Sequence, residues 1–461
     1  MIEMKEDQIE FLLSKAIDQV KTNGEIQLVS FTKQVNRIDP LVFFEAAKML
    51  EKNRIFWSST ADDFCVVGVG KAYDIVANKS RYNETEKEWN KLLQEAIIHN
   101  PYEVAGTGLL ALGGMSFDPK RERSSLWENF QPSRFTIPEF LLTKNNNTTY
   151  FTINIQVTKN DHPKQMLRAC KQAEKKLFNT FIKIPQGVGI KSKEEKNPEA
   201  WKHSVRLAKE KIEKNEAKKI VLARELRLEL KNKAEISAII DKLIKTQATS
   251  YIFAFENGND CFIGATPERL VKLEKNQLLS TCLAGTAPRG NTKEEDTRIG
   301  ISLLDDEKNR EEHDFVVKMI KRAINDYCTD IDIPGKPVIY PLKNLQHLFT
   351  PVIAKLKDKY SIFDIVRELH PTPALGGTPT EESLAFIREH EQLDRGWYGA
   401  PIGWLDSNQN SEFAVAIRSG LIKGDKASLF AGCGVVKDSD IEAEYEETNI
   451  KFLPMLSVLG G

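Results

Sequence analysis

The spacing of apolar residues along this chain changes period several times, and each change predicts a new element. Near the start, EFLLSKAIDQV repeats its apolar residues at intervals of three and four, so residues 1–22 are read as a helix and 40–50 as a second, shorter one. The stretch WSSTADDFCVVGVGKAYDI (57–75) changes to period two and predicts two strands around a turn. TGLLALGGMSFD (107–118) is strand-like, broken by Gly113 and Gly114. From Phe135, FTIPEFLLTKNNNTTYFTINIQVT predicts a hairpin about its Asn-rich centre. Residues 161–197 begin helical and become rich in Lys, Gly and Pro, so 185–200 is read as a mobile surface connection. Residues 203–215 predict a charged amphipathic helix. Turn signals at Glu256–Asp260, Glu274–Asn276 and Lys423–Asp425 punctuate further strands, the last joining two strands over 420–429. Antiparallel hairpins interleaved with long helices predict the α+β class rather than a doubly wound sheet.

The 461 residues suffice for one large domain or two to three ordinary ones, and no internal repeat is evident. With 65 basic and 66 acidic side chains the net charge is −1, so no whole-protein field favours nucleic acid or an acidic membrane. The Lys-dense stretch IKSKEEKNPEAWKHSVRLAKEKIEKNEAKK is interleaved with glutamates and reads as a solvated surface. No run approaches the length of a membrane span, and the N-terminus lacks a signal peptide's apolar core. The six cysteines are widely spaced without a CxxC or zinc-like pattern, which points to free thiols in a reducing, cytoplasmic setting.

Candidate chemistry is concentrated from Lys219 onward. Glu444, Glu447 and Lys451 fall at i, i+3 and i+7 of a predicted helix and share a face, where two carboxylates one turn apart suit a hard divalent cation. A solvated face with a Glu447–Lys451 pair accounts for the same spacing. Glu312 borders the apolar stripe Phe315, Val316, Met319 and Ile320, as a ligand or as a surface residue beside a packed His313. Without His or Cys partners at ligand spacing, magnesium fits better than zinc. Gly432-Cys433-Gly434 is read as a turn able to present N–H groups to a carboxylate, or as an ordinary bulge. Arg418 interrupts the strand-like FAVAIRSGLI, facing solvent or clamping an anion. Gly376-Gly377 makes a tight loop stiffened by Pro371 and Pro373, while Gly68-x-Gly70-Lys71 lacks a phosphate cradle's spacing and is left as a strand end.

Through a series of ordered blocks the chain resembles the chorismate-utilising enzymes, and among them the isochorismate synthases. The blocks are KKIVLARE (218–225), IGATPERL (263–270), LAGTAPRG (283–290), REEHDFVV (310–317), HPTPALGG (370–377), RGWYGAPIGWLD (395–406), FAVAIRSGLI (413–422) and AGCGVV with EAEYEET up to residue 448. They cover 201–452 strongly and the N-terminal part loosely. The resemblance implies two antiparallel sheets packed face to face with helices outside, residues 1–200 forming a loosely matching N-terminal portion and 201–455 the chorismate-binding region of one integrated unit.

The resemblance also implies a substrate, chorismate, and Mg2+ as cofactor. Glu312 and Glu447 are similar to the family's direct metal ligands, with Glu444 close by and acting through water. Gly432, Gly434 and Lys451 correspond to the cradle of the ring carboxylate, Arg418 and Tyr398 to the grip on the enolpyruvyl carboxylate, and Ala374, Leu375 and His347 to the ring pocket. Lys219 is similar to the general base that activates water for C2, and Glu268 to the general acid that protonates the departing C4 hydroxyl. Position 284 is alanine where one type of aminodeoxychorismate synthase carries a nucleophilic lysine, which closes that covalent route. Anthranilate synthases generally lack the lysine found at 219. Salicylate synthase remains the nearest rival, with siderophore-pathway isochorismate synthase beside it; the extended N-terminal region favours the menaquinone type. A monomer without an obligate protein partner is expected.

Overall fold

Strands buried on both faces must sit between two apolar layers, and this requirement organises the chain. In Arg54–Ser59, Ile55 and Trp57 join one buried cluster while Phe56 joins another. Phe253 and Phe255 likewise part from Ile252 and Ala254 in Tyr251–Asn257, as Leu110 and Leu112 do from Ala111 in Leu110–Met115. Period-two alternation with both faces apolar makes each strand the middle of a sandwich.

The computed structural model describes residues 6–24, 26–179, 181–341 and 345–461. Among these, the strands form a 13-stranded and a 10-stranded sheet. The first runs Ile190–Glu195, Lys219–Leu230, Lys426–Val435, Ser419–Lys423, Asp260–Thr266, Tyr251–Asn257, Arg54–Ser59, Phe64–Val69, Phe140–Asn145, Thr148–Val157, Gln27–Val35 and Ile97–His99, with Gly377–Thr378 pairing onto Lys219–Leu230. The second runs Cys328–Asp332, Leu345–Leu356, Gln277–Pro288, Arg269–Glu274, Ser411–Val415, Pro401–Asp406, Leu110–Met115, Ser133–Ile137 and Tyr73–Ala77, with Val338–Pro341 beside Leu345–Leu356. Neighbouring strands are antiparallel except Gln27–Val35 with Ile97–His99. Strands from before residue 160 and after residue 218 enter both sheets.

Between the sheets lies an aromatic core that includes Trp57, Trp127, Phe253, Phe262, Trp397 and Trp404. Helices Glu6–Asn23, Pro40–Ala46, Pro163–Leu177 and Ile236–Thr246, with the end of Ile441–Leu459, cover the outer face of the first sheet. Arg81–Glu95, Glu307–Asn325 and Ile362–Leu369 cover the second. This is the α+β class that the hairpin pattern predicts, with the two face-to-face sheets that the resemblance implies.

Two of the corners at which the chain passes between the sheets carry candidate residues. It leaves the first sheet after Thr266 and enters the second at Arg269, with Glu268 at the corner. It returns from Val415 to Ser419 through Arg418. The corners are tied together, Val415 N–H donating to the Glu268 carbonyl at 3.0 Å and Ala265 N–H to the Arg418 carbonyl at 3.1 Å.

Several sequence expectations need correction. FAVAIRSGLI is two strands in different sheets, with Arg418 at φ 52° in the bend between them. Gly432 to Gly434 is not a turn but strand, in register with Ala223 to Val221. Residues 190–195 of the expected connection form a strand paired to Leu226–Leu230. The stretch 57–75 holds the expected hairpin plus the start of a third strand, Tyr73–Ala77, in the other sheet. The first five residues of the expected N-terminal helix lie outside the described residues.

Candidate active site

Lys219 opens its strand, and three features of the backbone hold it there. Gly377 pairs alongside at φ 109°, where a Cβ would lie 2.2 Å from the Lys219 carbonyl oxygen. Buried Ser383 donates to that same carbonyl at 3.0 Å. Across the sheet, a Cβ on Gly434 would meet Lys219 Cε at 2.5 Å, so the absence of a side chain makes the channel through which the lysine passes. Its Nζ ends 3.0 Å from Glu312 Oε1.

Glu312 comes from the other sheet's covering helix, Glu307–Asn325, capped by Asp306, which accepts from Asn309 N–H at 2.7 Å. The next residue, His313, is fully buried between Ala284 and Thr350: its Nδ1 lies 3.2 Å from the Ala284 carbonyl and its Nε2 2.8 Å from Thr350 Oγ1. A carbonyl only accepts, so Nδ1 carries the proton. His313 is thus the packed imidazole that the sequence allows, and it locks the Glu312 helix to the LAGT strand.

At its corner, Glu268 has no hydrogen-bond or ion-pair partner for its carboxyl among the described residues. Burial pushes that carboxyl up to about 7, against the opposing pull of Lys219, Lys451 and Arg418. Arg418 is the counterpart. Burial draws its guanidinium below the ordinary arginine value, with Tyr398, Glu447 and Glu268 offsetting part of the cost, and no hydrogen bond to it is present among the described residues. A desolvated, unpaired guanidinium is an anion site in waiting.

Tyr398 is buried, its ring tilted over Phe430 and its phenol pushed upward by burial; a Cβ on Gly432 would lie 3.3 Å from its hydroxyl. His347 Nδ1 is 3.2 Å from the Gly285 carbonyl and 3.0 Å from Thr286 Oγ1. Burial lowers the His347 imidazole to about 4, with Arg418 and Lys451 adding to the effect, so the ring is neutral at pH 7. With its proton on Nδ1, its Nε2 is a bare acceptor. Leu375 is buried with its carbonyl accepting from Arg395 at 2.9 Å, whereas Ala374 beside it is exposed.

Gly432 and Gly434 face Ala223 and Val221 as non-hydrogen-bonded pairs, because Ala223 N–H donates to Glu391 and the Val221 carbonyl accepts from Arg395. The glycines' own N–H and C=O groups therefore point to the opposite edge. That edge is open, since the Ser419–Lys423 strand stops pairing at Phe430. Lys451 reaches it, donating to the Gly432 carbonyl at 2.8 Å while 2.5 Å from Glu447. The glycines present donors to the site, as their sequence suggests, but from a strand edge.

The carboxylates Glu312, Glu444 and Glu447 are not a preformed cluster: among the described residues no three His, Cys, Asp or Glu side chains converge to hold a metal. Their chemistry nonetheless fits a hard cation. Glu312 and Glu447 each have their charge met by a lysine, and Glu444, whose Oε1 accepts from Ser439 at 2.7 Å, leaves Oε2 buried without a partner. Lys219, Glu268, Glu312, His347, Tyr398, Arg418, Glu447 and Lys451 thus come together from both sheets, whereas no contact ties exposed Ala374 to them among the described residues. Sequence reasoning missed Ser439, Ser383, Thr286 and the Glu391–Arg395 pair; of these only Arg395 and Thr286 fall in a block that carries the resemblance. A groove of about 730 Å3 between Phe11, Lys15, Asp18 and Gln94 contains none of the candidate residues.

A family model of chorismate binding enzymes matches residues 15–460, and the chain belongs to that family. It is 41% identical over 453 residues to isochorismate synthase MenF of Bacillus subtilis, covering 97% of this chain and 96% of that one. The salicylate biosynthesis isochorismate synthase of Pseudomonas aeruginosa is 33% identical over 458 residues, covering 97% and 94%. Among solved structures, the menaquinone-specific isochorismate synthase of Escherichia coli superposes with a TM-score of 0.80 over 97% of this chain and 99% of that one; at 22% identity it is a likeness of fold.

Proposed function

We propose that this chain is an isochorismate synthase, which adds water at C2 of chorismate and expels the C4 hydroxyl. The carrying observation is the Glu268 carboxyl, unpaired and raised to about 7 within the field of Lys219, Lys451 and Arg418. A group poised near neutrality is the general acid that a hydroxide leaving group needs. Lys219, once neutral, takes a proton from the attacking water, and Glu268 gives one to the departing oxygen. Water enters and water leaves, so the product is an isomer and the reaction is reversible.

Arg418 and Tyr398 would hold the enolpyruvyl carboxylate, and the N–H edge of Gly432 and Gly434 with Lys451 the ring carboxylate. Leu375, Ala374 and the neutral His347 would line the ring. Glu312 and Glu447, with Glu444 alongside, would hold Mg2+. Bound there, the ion supplies positive charge to the ring carboxylate as electron density shifts toward it. We propose a place at the start of menaquinone synthesis, for which the extended N-terminal region speaks, and a monomer acting in the cytoplasm. No helix among the described residues is long and apolar enough to cross a membrane.

The test is product analysis after incubating the purified protein with chorismate and Mg2+, with ammonium and EDTA arms. Isochorismate alone, lost with EDTA, supports the reading. Salicylate with pyruvate, or an aminated product, contradicts it.

A further inference from the structure

The strand that begins at Lys219 has a stretch of edge that no other strand covers. Gly377–Thr378 pairs with Lys219 and Ile220, and Ile190–Glu195 pairs from Leu226 onward. Between them, Val221 and Ala223 turn main-chain groups toward open edge, and buried unpaired main-chain groups are costly. Two side chains fill the gap. Glu391 Oε2 accepts from Ala223 N–H at 2.7 Å, and Arg395 Nη2 donates to the Val221 carbonyl at 2.7 Å. They join one another through Nε–Oε1 and Nη2–Oε2, both 2.7 Å, with side chains only 4% and 1% exposed.

The guanidinium does more than pair. Its Nη1 donates to the Leu375 carbonyl at 2.9 Å, its plane lies over the Phe117 ring at 4.3 Å, and the Arg395 carbonyl accepts from Tyr398 N–H at 2.8 Å. One planar fork therefore spans the lysine strand and the Leu375 loop, with the Tyr398 turn bound to its own backbone. A fully buried ion pair is weak evidence for stability, because desolvation offsets its attraction. What this pair supplies is a fixed distance, since the guanidinium's donors have set directions that an ammonium lacks.

We propose that Glu391 and Arg395 are positioning residues that set the spacing between the Lys219 strand and the Ala374–Leu375 loop, and so align the base with the substrate ring. The alignment part rests on the isochorismate synthase reading; the spacing part does not.

The test compares the parent with Glu391→Gln/Arg395→Met, which removes both charges together, and with Arg395→Lys, which keeps them. In the double variant, the amide oxygen introduced at position 391 still accepts from Ala223 N–H. The Val221 and Leu375 carbonyls lose their donor. Each variant is checked for a cooperative melt, and Arg395→Lys decides if the double variant does not fold. Hydrogen exchange over 371–377 is expected to rise about tenfold or more. In the same proteins kcat with chorismate and Mg2+ is expected to fall about 100-fold, with KM within about threefold of the parent. A folded variant with parent-like exchange over 371–377 overturns the spacing claim, and one with looser exchange but parent-like kcat overturns the alignment claim. A parent that makes no isochorismate would instead sink the functional reading, while the exchange measurement still decides the spacing.

Discussion

Lys219 and Glu312 belong to opposite halves of the sandwich, one on the first sheet and one on a helix covering the second, and their side chains meet at 3.0 Å. The contact couples two proposed roles. Glu312 is the proposed metal ligand and Lys219 the proposed base, so one 3.0 Å ion pair joins the two parts of the site. Lys451 and Glu447 repeat the arrangement 2.5 Å apart on one helix.

Glu312→Gln is therefore expected to raise the Mg2+ concentration for half-maximal activity by about tenfold or more. Titrating activity against Mg2+ checks it. An unchanged half-saturation point would remove Glu312 from the metal site.

Lys219→Ala and Glu268→Gln are each expected to lower kcat by about 100- to 10,000-fold. The pH profiles separate them. An acid must hold its proton, so parent activity should fall as pH rises through about 7, where burial has placed the Glu268 carboxyl. The residual activity of Glu268→Gln should lack that alkaline limb. A limb that survives in the Gln variant assigns it to another group.

The same carboxyl makes a prediction for stability. Its folded value lies above the unfolded one, so folded protein holds the proton more tightly. That contribution is complete below the unfolded carboxylate value and is lost as pH rises through about 7. At about pH 8 the parent keeps a half-buried, unpaired charge that Glu268→Gln lacks, and the variant is expected to be more stable by at most roughly 3 kcal/mol. The difference should vanish by about pH 4.5. Melting curves of both proteins across this range check it; a gap that does not vary with pH would count against the burial argument.

Gly434→Ala puts a methyl 2.5 Å from Lys219 Cε, whereas Gly432→Ala meets Tyr398 Oη at 3.3 Å and the Leu222 carbonyl at 3.1 Å. The first should damage kcat about tenfold or more through the displaced base, and the second should act mainly on KM. Steady-state kinetics of the two variants check the contrast, and equal effects on both constants would refute it.

How much of the fold and site was legible in the sequence depended on what each residue faced. The sheets announced themselves because strands such as Phe64–Val69 carry apolar residues toward both layers. Ile190–Glu195 did not, because an edge strand of sequence IKSKEE is almost wholly exposed and carries charges rather than alternation. The two glycines around Cys433 imitate a turn, but they are absent side chains that leave room for Lys219 and Tyr398. Arg418 sits within an apolar run that reads as one strand, and only the fold shows the chain changing sheets there. Glu391 and Arg395 at i and i+4 look in sequence like any solvated pair; their burial depends on a strand edge more than 150 residues away, at Val221 and Ala223.

The most direct measurement of the central claim is turnover of chorismate in 18O-labelled water with Mg2+, followed by mass analysis of the product. Water addition at C2 with loss of the C4 hydroxyl predicts isochorismate carrying 18O from solvent at C2, formed by the parent and lost in Lys219→Ala. Isochorismate without solvent oxygen, or a product other than isochorismate, would contradict it.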